Sequence, residues 1–136
     1  MKHAIRISLT AALLCASPLL FAGGSVTLKS GLKWKDMGNG VAAATVSGDM
    51  QSGASRFYLK YPAGLVTPMH HHDADHYVTV VSGKVTLTVD GKDHKLAAGD
   101  YFALTGKAVH AAKVDGKEEA VFFIQADGPW DVVLEK

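Results

Sequence analysis

Short runs rich in Val, Thr, Phe and Tyr recur between residues 41 and 125, each cut off by Gly or Asp. No stretch after Gly23 keeps a helical period of apolar positions, so the runs read as strands. They cover 41–46, 56–61, 77–81, 84–89, 92–96, 101–104, 108–114 and 120–125. Alternation puts Phe57, Leu59 and Tyr61 on one strand face, and Val85, Leu87 and Val89 on another. Asp90-Gly91 between two such runs predicts a two-residue hairpin, and Asp115-Gly116 reads the same way. Ser82-Gly83 and Ala98-Gly99-Asp100 read as turns. Strands this short, with turns this regular, predict an all-β antiparallel sandwich or barrel. No linker, internal repeat or low-complexity segment interrupts the pattern, so residues 23–136 are expected to form a single domain.

Residues 1–22 follow another pattern. Lys2 and Arg6 precede an almost wholly apolar run, 7–21, and Leu20-Phe21-Ala22 before Gly23-Gly24 supplies a small residue at a cleavage position. This is the layout of a cleaved secretory signal peptide, and the run falls short of the roughly 20 apolar residues that span a bilayer. The expected mature chain therefore begins near Gly23, is periplasmic or secreted, and has no membrane segment after cleavage.

Composition adds little to the fold and something to the chemistry. The chain of 136 residues is 48% hydrophobic and 20% charged, which is globular composition and excludes a disordered or fibrous chain. The net charge is +1 without a Lys/Arg cluster, so no nucleic-acid partner is expected. Removal of residues 1–22 takes away Lys2 and Arg6, leaving 12 basic against 13 acidic side chains. It also takes away Cys15, the sole cysteine. The remaining chain forms no disulfide and holds no metal through thiolate.

The chemistry is concentrated in histidine. There are seven, and the informative ones are His70-His71-His72, His76 and His110. On a strand His70 and His72 share a face and His71 points to the other; His76 is in phase if the strand continues. Imidazole ligates Zn, Cu, Fe and Ni. Taken singly, the tract also reads as a solvated loop, and His110 as a hydrogen-bonded surface residue. His94, between Asp93 and Lys95 in a polar return strand, is expected to be exposed, and His3 leaves with the leader.

Spacing decides between these readings. Gly64, His70, His72, His76 and Gly83 resemble the first sequence motif of the cupins, which carries Gly, His, His, Glu and Gly at those intervals. Gly99 and His110 are similar to the ends of the second motif, with Thr105, Lys107 and Val114 where Pro, Gly and Asn are usual. The resemblance covers about 56–125, and Tyr61-Pro62-Ala63-Gly64 and Asp127-Gly128-Pro129-Trp130 also look like small single-domain cupins. It implies a double-stranded β-helix (jelly-roll) barrel, paired as a homodimer, with one divalent transition metal per subunit (Mn, Fe, Cu, Ni or Zn) held by His70, His72, His76 and His110. The chief departure is His76 in place of Glu. Four neutral imidazoles neutralise none of the cation's charge, which makes the ion a stronger Lewis acid than in the usual set. A four-histidine set occurs in some cupins. Asp73 and Asp75 are read as solvated strand-end charges, Tyr58, Tyr77 and Tyr101 as candidate phenols for the cavity, and Phe57, Phe102, Phe122 and Phe123 as core or cavity wall. Trp34 and Trp130 are placed near the barrel ends. The expected activity is a dioxygenase-like reaction on a small organic substrate. The alternatives are a metal-dependent isomerase or lyase, and a non-catalytic binder of metal or a small ligand.

Overall fold

The computed structural model describes residues 23–136, so the leader proposed for 1–22 lies outside the described residues. After a single 3-10 turn at Lys29–Gly31 come eleven strands: β1 (Lys35–Gly38), β2 (Val41–Gly48), β3 (Ser55–Tyr61), β4 (His70–His71), β5 (His76–Ser82), β6 (Lys84–Val89), β7 (Lys92–Ala97), β8 (Tyr101–Leu104), β9 (His110–Val114), β10 (Ala120–Ala126) and β11 (Val133–Leu134). They form two antiparallel sheets, ordered β1-β2-β3-β10-β5-β8 and β11-β4-β9-β6-β7. From β4 the chain repeatedly crosses between the sheets, which wraps it around one core as a jelly roll.

The eight expected strands are all present within a residue or two, and β1, β4 and β11 are additional. Asp90-Gly91 turns with φ of 51° and 69°, the two left-handed residues of a two-residue hairpin, and β6 pairs β7 directly. Asp115-Gly116 is not a hairpin. It joins β9 in one sheet to β10 in the other, because the jelly roll sends the chain across at that point. The predicted inward face of β3 holds: Phe57 and Leu59 are buried with Val78, Val80, Val85, Val114, Phe122 and Ile124 in the common core. Phe123 departs from expectation. On β10, where residues alternate between buried and half-buried, it faces outward and packs on Tyr58 with ring centroids 5.1 Å apart.

Candidate metal centre

Four of the histidines meet where the two sheets face each other. His70 opens β4 and stands opposite His110, which opens β9. His72 follows the end of β4, and His76 opens β5 in the other sheet. The four are between 2% and 5% exposed. Ring centroids are 4.3 Å apart for His70 and His110, 5.1 Å for His70 and His72, 4.7 Å for His72 and His76 and 5.6 Å for His76 and His110. Ligand nitrogens of His70, His72 and His110 lie within 4.8 Å of one another, a set that could hold a metal ion, and His76 packs beside that set. The strand does not continue from His70 to His76. The chain bends after His72 and changes sheet, and that crossing brings His76 back to the others.

Each of these rings is oriented the same way. The Nδ1 atoms of His70, His76 and His110 lie 2.8, 3.3 and 2.8 Å from the carbonyl oxygens of Pro68, Ala74 and Ala108, and Nδ1 of His72 bonds the carbonyl of Asp131. A carbonyl only accepts, so Nδ1 carries the proton and donates it. The lone pair of each neutral ring then sits on Nε2. Backbone carbonyls thus take the orienting role that a carboxylate often plays behind a metal-binding imidazole. Neither Asp73 nor Asp75 plays it. His71 turns to the other side of β4, as alternation requires, with Nδ1 2.5 Å from a Glu135 carboxylate oxygen. His94 is exposed on β7.

Two flanking segments fix the cluster. The 105–108 turn is latched to the histidine loop: Lys107 donates its backbone N–H to the His72 carbonyl at 2.7 Å, and Gly106 donates to Asp75 Oδ1 at 2.7 Å. Asp75 is therefore a structural acceptor rather than a merely solvated charge. A Cβ at Gly106 would lie 2.3 Å from the Asp73 carbonyl oxygen, so only glycine permits this approach. Lys107, standing where the motif usually has glycine, takes the glycine-like conformation with φ of 67°, and the loop keeps its shape at some strain. The second segment is the C-terminal strap. Besides the Asp131 carbonyl it brings Trp130, stacked on His72 with centroids 3.9 Å apart and 5.2 Å from His76.

The cavity around the rings is small, about 40 Å³, room for an ion and a few waters. Apart from the four imidazoles it is lined by apolar and aromatic side chains, among them Val85, Phe102, Phe122, Ile124 and Trp130, and by Tyr61. Tyr61 is the phenol of the site; Tyr58, Tyr77 and Tyr101 do not line it. Its signal was its place on the Phe57–Leu59 face. Burial pushes the Tyr61 phenol up to about 12, so it remains a neutral hydroxyl. Burial pushes His72 down to about 3 and His110 to about 4 and lowers His76; the bonded carbonyls oppose the shift and neighbouring imidazoles add to it. These rings are neutral at pH 7, as ligation requires.

A pH dependence follows for the metal-free protein. Unfolding returns these imidazoles to their ordinary value near 6.5. Between there and about 4 the unfolded chain binds more protons than the folded one, so stability falls as pH falls through that window. Thermal melts of the metal-free protein should show Tm dropping from pH 6.5 to pH 4, less steeply in His110→Gln. A Tm that is flat or rises on acidification would contradict the buried neutral rings.

Comparison with known proteins agrees with this fold. The Cupin domain profile matches residues 57–125, just over half of the chain. An 80-residue stretch is 35% identical to the DNA damage-repair/toleration protein DRT102 of Arabidopsis thaliana; it covers 57% of this chain and a quarter, 25%, of that one. Among solved structures, KdgF from a Halomonas species is similar with a TM-score of 0.65 and 22% identity, over 77% of this chain and 94% of that one. The polyketide cyclase RemF from Streptomyces resistomycificus gives a TM-score of 0.70 and 14% identity, over 84% and 87%. The DMSP lyase DddQ from Ruegeria pomeroyi gives 0.62 and 17%, over 77% and 61%.

Proposed function

The chain belongs to the cupin family, and on that premise we propose that it is an exported metalloenzyme acting on a small organic molecule. The observation that carries this reading is the set of four buried imidazoles, each with Nδ1 committed to a backbone carbonyl, in an otherwise apolar cavity. That donor set fits a divalent transition metal. Metal–nitrogen bonds of about 2.0–2.1 Å place any two ligands within about 4.2 Å. The 4.8 Å limit on His70, His72 and His110 is close to that, and a small inward shift closes the difference. His76 is proposed as the fourth ligand, where most cupins have Glu. Such an ion would supply Lewis acidity and, as Mn, Fe or Cu, a one-electron couple.

The chain's own residues do the rest. The carbonyls of Pro68, Asp131, Ala74 and Ala108 hold the ring orientations. Phe102, Phe122 and Ile124 exclude water, which strengthens every electrostatic interaction inside. Tyr61 keeps its proton, so its role toward a bound molecule is that of a hydrogen-bond donor and not of a base. Among the described residues no Asp, Glu or Lys lines the cavity, so a general base from the protein is not part of this reading.

The preferred activity is dioxygenase-like. A Lewis-acid cyclase or lyase is the second reading; two of the structural neighbours carry those names, and a cavity whose ionisable side chains are the four imidazoles and Tyr61 suits a reaction driven by the ion alone. Export is supported by the pattern of residues 1–22. The test is oxygen uptake by protein purified from the culture and loaded with Fe(II) or Mn(II), over a panel of enolisable ketones and phenols, with an intact mass beginning at Gly23. Uptake that is lost in His72→Ala supports the dioxygenase. Turnover without uptake supports the lyase or cyclase, and no turnover with tightly held metal supports a binder.

A further inference from the structure

Beside the small cavity lies a larger groove of about 440 Å³, bounded by β1–β2, the 65–68 loop and the C-terminal strap. Cavity and groove share Leu59, Tyr61, His70, His72 and Trp130, which form the boundary between them. None of the 15 residues lining the groove is Asp, Glu, Lys or Arg, in a chain that is 20% charged. Its outer rim leaves Met37, Val66, Val132 and Leu134 between 50% and 61% exposed. One of its few polar groups, the Thr67 hydroxyl, already accepts the Ala112 N–H.

We propose that this groove holds the substrate, and that the substrate is a neutral, mainly apolar molecule of one or two rings carrying an oxygen function that points past Tyr61 to the histidines. The volume lies within the roughly 300–1,000 Å³ of small-molecule sites. An anion or cation laid along the groove wall away from the histidines, or anywhere in the groove of the metal-free protein, is desolvated without a counter-charge from the lining, which costs binding. A neutral ring loses nothing of the kind. It gains the burial of the rim side chains and the aromatic surfaces of Trp130 and Tyr61. The direction of the oxygen rests on the metal reading above; the groove's selection for a neutral apolar body does not.

The test separates the two. Calorimetry compares 2-naphthol with 2-naphthoate, one ring system with and without a charge, on metal-free and on Zn-loaded protein whose assembly state is followed by sedimentation. Metal-free protein should bind 2-naphthol at least about tenfold more tightly, the scale of one uncompensated polar burial. Val132→Lys places a cation on the exposed rim and should narrow or invert that preference. Val81→Lys, at a 45% exposed position away from the groove, should leave it unchanged. Zinc loading should tighten 2-naphthol severalfold if its oxygen meets the ion. Equal or tighter binding of naphthoate, no naphthol binding at millimolar concentration, or an unchanged preference in Val132→Lys overturns the proposal. So does a dimer that shuts the groove, since a second copy is then its occupant. If zinc does not bind at all, the metal reading fails while the groove result stands. If zinc binds and naphthol affinity is unmoved, only the direction of the oxygen is overturned.

Discussion

His72→Ala is expected to weaken metal binding by more than the roughly 10–100-fold that loss of an outer partner costs a metal site. The substitution removes one nitrogen of the tight set, and it also removes the ring that Trp130 covers and the Asp131 carbonyl orients. Beyond the three other histidines and Tyr61 the lining is apolar, so no further side chain is available to replace it. His76→Ala should cost less, since His76 lies beside the tight set and its carbonyl bond is the longest of the four at 3.3 Å. His76→Glu should retain the ion, because a carboxylate oxygen can fill the same position. His71→Ala should leave affinity within about twofold, the side chain pointing away to Glu135. Chelator competition across the four variants checks the order. Weakening by His71→Ala together with normal binding by His72→Ala would show that the faces of β4 are assigned wrongly.

Phe57→Ala should destabilise the fold by about 3–5 kcal/mol, the range for emptying a large aromatic from a packed core. Phe57 is fully buried at the centre of β3, between the β2 and β10 ladders. It also meets Trp130 edge-to-face, centroids 5.1 Å apart. Such a contact adds about 0.5–1.5 kcal/mol beyond area burial. The same cavity would loosen the indole that lies on His72, so metal affinity should fall with stability. Phe123→Ala, on the outer face against Tyr58, should cost clearly less. Urea unfolding of the two variants measures the difference, and a loss below about 1.5 kcal/mol for Phe57→Ala contradicts its place in the core.

The strands were legible because a half-buried strand repeats every two residues, and Phe57, Leu59 and Tyr61 carry that repeat plainly. The short strands β4 and β11 were not, since two residues leave no period to read. The histidine cluster was legible through its spacing, but the strand on which His76 would share a phase with His70 and His72 does not continue that far. A crossing between sheets brings His76 in, and a crossing has no local signal. Trp130 and the Asp131 carbonyl were missed as parts of the site because they lie 58 and 59 residues beyond His72 and act through tertiary packing. Lys107 illustrates the reverse. It stands where the motif usually has glycine, and the latch from His72 to Lys107 and from Asp75 to Gly106 holds the turn in the glycine-like shape.

That the buried histidines hold one transition-metal ion per chain is open to direct measurement. Elemental analysis of protein purified from its own host, after dialysis at neutral pH, tests it most directly. About one equivalent of Mn, Fe, Cu, Ni or Zn per chain is expected, and almost none in the His70→Ala/His72→Ala/His110→Ala triple variant. A native protein that carries no such metal and takes up none on loading, or a triple variant that keeps its full equivalent, would contradict it.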